Sequence, residues 1–292
     1  MLSNYLIGLR EGLEASLVVT ILIAYLVRSG RSPLLPRIWA GVIFAVLVSL
    51  GFGALLTYGP RGLDDEAEEM IAGTLSIIAV AFVTWMIFWM RRAARGLAGG
   101  LRDQIDRAAA AGRWSLTVVA ALAVGREGLE TALFLWAATE TATGAHTAST
   151  VPAWQPITGA VLGIATAVVL GYLLYRGAVK LNLTTFFTWT GAFLIVVAAG
   201  VLGYGFQDLQ EAGVLPGMNS LAFDLSGQFD EGSWYGALLK GVFNFSPEAT
   251  WLRVAVWTAY LLVTMTFFLV GIRRGGPAKA TTAGPSRDKQ SV

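Results

Sequence analysis

Seven stretches of the chain are apolar for about 20 residues each, the length a helix needs to cross a ~30 Å hydrocarbon core. They fall at 4–27, 38–58, 69–90, 114–139, 154–175, 185–206 and 250–271, with charged or turn-forming residues between them. The pattern predicts an all-α integral membrane protein of seven transmembrane helices. The first stretch lacks a basic leader and carries Arg10, Glu11 and Glu14 inside its apolar run, so it is expected to stay in the mature chain and not to act as a secretory signal.

Polar residues break the pattern in two matching places. Arg10-Glu11-Gly12-Leu13-Glu14 lies in the first stretch, and the same five letters recur as Arg126-Glu127-Gly128-Leu129-Glu130 in the fourth. An ionisable side chain at bilayer depth costs at least a few kcal/mol, so six of them mark a functional site. On a helix turning about 100° per residue, Glu14 falls about 40° and Glu11 about 100° from Arg10, so the three share one arc. Gly8 and Gly12 form a separate small-residue edge for another helix. The second copy repeats the arrangement, with Gly128 in the place of Gly12.

The 292 residues are 55% hydrophobic and 14% charged, which places the chain outside the soluble class. With no cysteine and one histidine, His146, thiolate chemistry and multi-histidine metal clusters are excluded, so any metal handled must be held mainly by oxygen. The net charge of +2 does not indicate nucleic-acid binding, because the basic residues are confined to alternate loops. Arg28, Arg31 and Arg37 lie in the first loop, six arginines from Arg91 to Arg113 in the third, Arg176 and Lys180 in the fifth, and Arg273 and Arg274 at the tail. The other loops hold only Arg61, Lys240 and Arg253, which predicts an outside N-terminus and an inside C-terminus. Acidic residues gather on the outer side: Asp64, Asp65, Glu66, Glu68 and Glu69 before the third span, and Asp208, Glu211, Asp224, Asp230 and Glu231 after the sixth. Asp208 and Glu211 are three apart beside Gly203 and Gly205, which are expected to loosen the helix end. A basic amphipathic helix on anionic lipid is expected between Arg91 and Arg113.

Each pentapeptide opens a group of three spans. Three is odd, so the second group is inverted relative to the first, an arrangement found in secondary transporters that bind substrate between the halves. The expected organisation is a transporter domain over 1–274, comprising repeat one at 1–95, repeat two at 110–210, and an outer loop with the seventh helix at 211–274. Residues 275–292 are expected to be a disordered cytoplasmic tail. At ~1.5 Å per residue the first motif lies about 9 to 15 Å and the second about 6 to 12 Å below the outer edge. Matching depth favours one shared site.

Glu11, Glu14, Glu127 and Glu130 offer the hard oxygen ligands that multivalent cations prefer. With Arg10 and Arg126 the six groups carry a formal −2 when ionised, so pairing at i,i+4 or protonation is expected in the empty site. The alternative is that each motif is a polar device for packing helices.

The doubled motif, in the first and fourth of seven spans, resembles the high-affinity iron permeases: the oxidase-dependent iron transporters of fungi and the Efe-type branch of bacteria. The resemblance extends to residues 83–90 in span three and to 207–213 after span six. It departs from the family pattern at Gln207, where bacterial relatives often carry histidine, and at Ala72, where a second acid is common. What the resemblance implies is iron uptake across the bacterial cytoplasmic membrane, with Fe³⁺ expected and Fe²⁺ as the alternative. It implies Glu11, Glu14, Glu127 and Glu130 as translocation ligands, Arg10 and Arg126 as charge-balancing groups, and accessory outer sites at Asp208, Glu211, Glu66 and Glu69. It also implies an extracytoplasmic oxidase, peroxidase or iron-binding protein as partner, with no permanent cofactor and no nucleic acid. Three readings compete with it: a transporter of Mn²⁺ or Ca²⁺, a membrane anchor for an extracytoplasmic oxidase, and an intramembrane enzyme using the glutamates as acid and base. The last is disfavoured, since no nucleophile set or cofactor fingerprint accompanies them. The oligomeric state is left open.

Overall fold

The structure, a computed structural model, describes residues 1–60, 64–93, 107, 114–143, 154–178, 182–225, 245 and 247–274. His146, Asp230, Glu231 and the tail from 275 lie outside the described residues, as does most of the segment expected to form a basic helix. Seven long α-helices are present among the described residues: α1 Leu2–Arg28, α2 Leu35–Tyr58, α3 Asp65–Ala93, α4 Ser115–Thr143, α5 Trp154–Tyr175, α6 Leu183–Glu211 and α7 Trp251–Arg274.

Several helices overrun their apolar cores. Hydropathy stops at the first charged residue, whereas Glu and Gln are good helix formers, so α3 begins at Asp65 and α6 continues to Glu211. Gly203 and Gly205 do not loosen α6, contrary to expectation. A Cβ on Gly205 would lie 3.0 Å from the Gly73 carbonyl oxygen, so this glycine lets α3 approach. The helix stops instead before Gly213, where φ is 70°. At the other end of α6 Asn182 accepts a hydrogen bond from the Thr185 amide, a side-chain N-cap.

Helices pack as three main pairs. α1 runs parallel to α5, α2 parallel to α4, and α3 antiparallel to α6, while α7 lies against α6. Without a hydrophobic drive between spans in lipid, close backbone approach over small residues supplies the attraction. In α5 the small residues Gly159, Gly163, Ala167 and Gly171 are four apart and meet Met1, Tyr5 with Leu9, Gly12, and Ser16 of α1. The α2 and α4 pair has the corresponding contacts. Gly128 meets Ser49 where Gly12 meets Ala167, and Gly125 meets Ala45 where Leu9 meets Gly163. Thr117 likewise meets Gly41 where Met1 meets Gly159. Between α3 and α6, Gly73 meets Gly205 near one end and Ile87 meets Gly191 near the other.

One apolar core joins α1, α3, α4, α6 and α7 around Ile7, Val80, Phe134, Ile195 and Phe268. A second joins α1, α2 and α4 around Leu22, Ile38 and Ala120. The outward faces of α2 and α5 expose Phe44, Leu47, Leu50, Val161, Leu162 and Val168, apolar surface that lipid covers. Five of the seven helices are long and apolar enough to cross a membrane, and α1 and α4, which carry the pentapeptides, are not among them. The chain is an all-helical, multi-pass membrane protein. A feature absent from the sequence reading is a two-stranded antiparallel ribbon, β1 Leu221–Asp224 with β2 Glu248–Thr250, leading into α7.

Candidate functional site

The first pentapeptide is packed on every side. Gly8 and Gly12 seat α1 against Ala160 and Ala167 of α5, turning the opposite arc of α1 toward α3 and α4. On that arc Arg10 is 2% exposed and Glu11 fully buried. The Arg10 guanidinium spans both acids of its motif, with Nη1 3.2 Å from Glu11 Oε1 and Nη2 3.3 Å from Glu14 Oε1. Nη2 also donates to the thioether of Met86 on α3. A planar, forked cation suits this task, since it serves two carboxylates at once.

The second pentapeptide supplies Glu127 and Glu130, both buried. Arg126 Nε donates to Glu130 Oε1 at 2.9 Å and lies 3.9 Å from Glu127 Oε1. Its guanidinium stacks over the Trp89 ring at 4.0 Å from the centroid. Unlike Arg10, the Arg126 side chain is 34% exposed.

The two motifs meet. One carboxylate oxygen from each of Glu11, Glu14 and Glu127 lies within 4.8 Å of the other two, and Glu130 is near enough for its charge to act on Glu14. Glu11 Oε2, Glu127 Oε2 and Glu130 Oε2 are buried and accept no hydrogen bond. Buried carboxylate oxygens without donors are costly. A multivalent cation supplies what they lack, and the arrangement can hold one through oxygens of two separate helices.

Of the outer residues singled out from sequence, Glu66 is exposed and Glu69 half-buried near the start of α3, while Asp208 is buried and Glu211 half-buried at the end of α6. Gln207 links to Glu211 at 2.8 Å and accepts from Arg253 of α7. The sequence reading missed four neighbours: Met86 and Trp89, which contact the two arginines, and Glu140 and Arg253, which act electrostatically on Asp208. The first two fall within residues 83–90, which carry part of the family resemblance, but nothing in the sequence assigned them to the arginines, because apolar residues on a span look alike until a fold places them. Glu140 falls one residue past the apolar stretch that was assigned to the fourth span, where a longer α4 would have included it.

Residues 1–275 match the family described as the iron permease FTR1 family. The ferrous iron permease EfeU of Escherichia coli O6:H1 is 37% identical over 281 residues, covering 95% of this chain and 99% of the relative. The protein of the same name from Shigella sonnei matches at 37% over the same shares. The one from Yersinia pestis is 34% identical over 273 residues, covering 92% of this chain and 94% of its own. No solved structure matches the chain.

Proposed function

Since the chain belongs to the iron permease FTR1 family and is a transporter, not an enzyme, we propose that iron crosses at the carboxylate cluster built by Glu11, Glu14, Glu127 and Glu130. The observation that carries this is the convergence of Glu11 and Glu14 from α1 with Glu127 from α4 in a buried place. Arg10 and Arg126 balance charge while the cluster is empty, and an arriving ion takes their place on the carboxylates. Release restores the pairs.

The ion is proposed to reach the cluster as Fe³⁺, the harder ion, for which an all-oxygen cage is well suited. An extracytoplasmic oxidase, peroxidase or iron-binding protein would then present it. A second reading, Fe²⁺, is favoured by the word ferrous in the names of the relatives and by the Met86 thioether beside Arg10. The membrane is proposed to be the bacterial cytoplasmic membrane.

Seven crossings are supported by the direction of packing, and an outside N-terminus by the arginines of alternate loops. α1 runs parallel to α5 and α2 to α4, while α3 opposes α6, as consecutive crossings require. Two inverted repeats, 1–95 and 110–210 within a domain of 1–274, are supported by the corresponding contacts of the α1 and α5 pair and the α2 and α4 pair.

Purified chain in proteoliposomes, offered ⁵⁵Fe²⁺ under reductant or ⁵⁵Fe³⁺ as citrate, tests the reading. Saturable uptake that Glu14→Gln abolishes supports the cluster, and the arm in which it appears identifies the ion. Uptake indifferent to Glu14→Gln in both arms refutes it.

A further inference from the structure

The two pentapeptides supply the same groups, but α3 meets them differently. Met86 and Trp89, three residues apart on one face of α3, contact Arg10 and Arg126 respectively. Met86 is fully buried. Arg10 Nη2 donates to its Sδ at 2.7 Å, while Glu14 Oε1, 3.3 Å from the same nitrogen, is buried and accepts no hydrogen bond. A thioether is a weak acceptor, so this contact adds little to the stability of a buried guanidinium that has carboxylates beside it. Packing does not ask for sulfur either, since Val83 and Ile87 fill the same core with branched hydrocarbon. What the sulfur does is define the place that Nη2 occupies: an atom standing there touches a thioether from α3 and a carboxylate oxygen from α1. Through Nη1 the same guanidinium reaches Glu11 Oε1 at 3.2 Å, so the cation that fills this place already faces two of the proposed iron ligands.

We infer that Met86 is the specificity-determining ligand of the cluster: its Sδ binds the ion once Arg10 withdraws, and it favours Fe²⁺ over Mg²⁺, Ca²⁺ and Mn²⁺. Carboxylates alone cannot make this choice, because an all-oxygen cage suits the harder divalent ions as well as iron. A thioether is soft and uncharged. It adds affinity for the later, softer ion without deepening the negative charge that the glutamates already bring. Fe³⁺, a fully hard ion, gains nothing from it. In the empty site Arg10 covers the sulfur, so the same movement that frees Glu11 and Glu14 uncovers Met86. Trp89 offers Arg126 a ring and no ligand atom, which leaves the α4 side of the cluster all-oxygen. The inference rests on the reading that the ion crosses at the pentapeptide cluster, and within that reading it takes the ferrous side.

The test compares ⁵⁵Fe²⁺ under reductant with ⁵⁴Mn²⁺ in proteoliposomes of full-length chain. Met86→Leu keeps an apolar side chain of similar volume and should raise the KM for Fe²⁺ about tenfold while Mn²⁺ uptake stays within twofold, so the preference for iron falls by the same factor. Met70→Leu, at an exposed methionine of α3, should change neither. An equal effect on both ions is what a packing role gives and overturns the inference, as does an unchanged preference. A second readout needs no variant. The chain has no cysteine, so in sulfur-free buffer a sulfur neighbour of bound iron can come only from methionine. Iron-edge X-ray absorption of the anaerobic Fe²⁺ complex in detergent should show one such neighbour, replaced by selenium in chain made with selenomethionine and absent in Met86→Leu. Oxygen neighbours alone in the wild type, with binding lost in Glu14→Gln, would keep the cluster and overturn the role of Met86. Full uptake by Glu14→Gln would remove the cluster reading, and the absorption spectrum would still decide whether sulfur binds the ion.

Discussion

The Arg126 guanidinium lies over the indole of Trp89, 4.0 Å from the ring centroid, while its Nε holds Glu130 at 2.9 Å. The aromatic face thus fixes the cation that fixes a proposed ligand. Stacking of this kind contributes about 1 kcal/mol at a half-exposed position, so Trp89→Leu should lower uptake roughly fivefold and Trp89→Phe should retain part of it. Equal rates for Leu and wild type, at equal membrane abundance, would separate Trp89 from the site.

Glu14→Gln and Glu130→Gln keep shape and hydrogen-bonding capacity but remove a hard anionic ligand. Uptake should fall by at least tenfold in each, with unchanged insertion in the membrane. Quantified ⁵⁵Fe accumulation against immunoblotted protein is the measurement.

Arg10→Lys conserves charge and should still be harmful. The guanidinium spans Glu11 at 3.2 Å and Glu14 at 3.3 Å, a fork that an ammonium on a flexible stem does not reproduce. Uptake reduced about tenfold, together with a lower thermal midpoint in detergent, is the expected result. A variant with wild-type kinetics would reduce Arg10 to a neutralising charge.

Because the chain has no cysteine, paired substitutions read proximity without background. Glu11→Cys with Glu127→Cys should be bridged by Cd²⁺ or a short bifunctional reagent, since the native carboxylates approach within 4.8 Å. Added iron should slow thiol labelling of the corresponding single-cysteine chains. No bridge in any pairing of Glu11 or Glu14 with Glu127 or Glu130 would count against a shared site.

Orientation is open to reporter fusions. One placed after Arg274 should read cytoplasmic and one between Asp64 and Glu69 should read outside. Reversal of either would undo the inverted-repeat proposal, which depends on the direction of α1 and α4.

The chain was most legible where one physical effect dominates. Hydropathy located all seven helices, because an apolar run of this length has few other uses, and 154–175 coincides with α5 at both ends. It misjudged α3 and α6, whose ends are built from charged residues that favour helix but look like loop. Helical periodicity placed Arg10, Glu11 and Glu14 on one arc, and the packing of Gly12 on Ala167 follows from the small-residue edge behind them. The partners of the arginines were not legible. That Met86 meets Arg10 and Trp89 meets Arg126 depends on how α3 is rotated against α1 and α4, which no local pattern encodes. The same holds for Arg253, counted among the few basic residues of the outer loops and found on α7 beside Gln207.

Arg10 is sealed while the Arg126 side chain is one-third exposed, so the two flanks of the carboxylate cluster differ in access. The α1 and α5 pair and the α2 and α4 pair have corresponding contacts, so a conformation in which the flanks trade roles, Arg126 sealed and Arg10 wetted, uses the same kinds of packing. Traffic by such an exchange never opens a continuous aqueous column through the bilayer. A permease of this design would then carry its ion without opening a leak for protons.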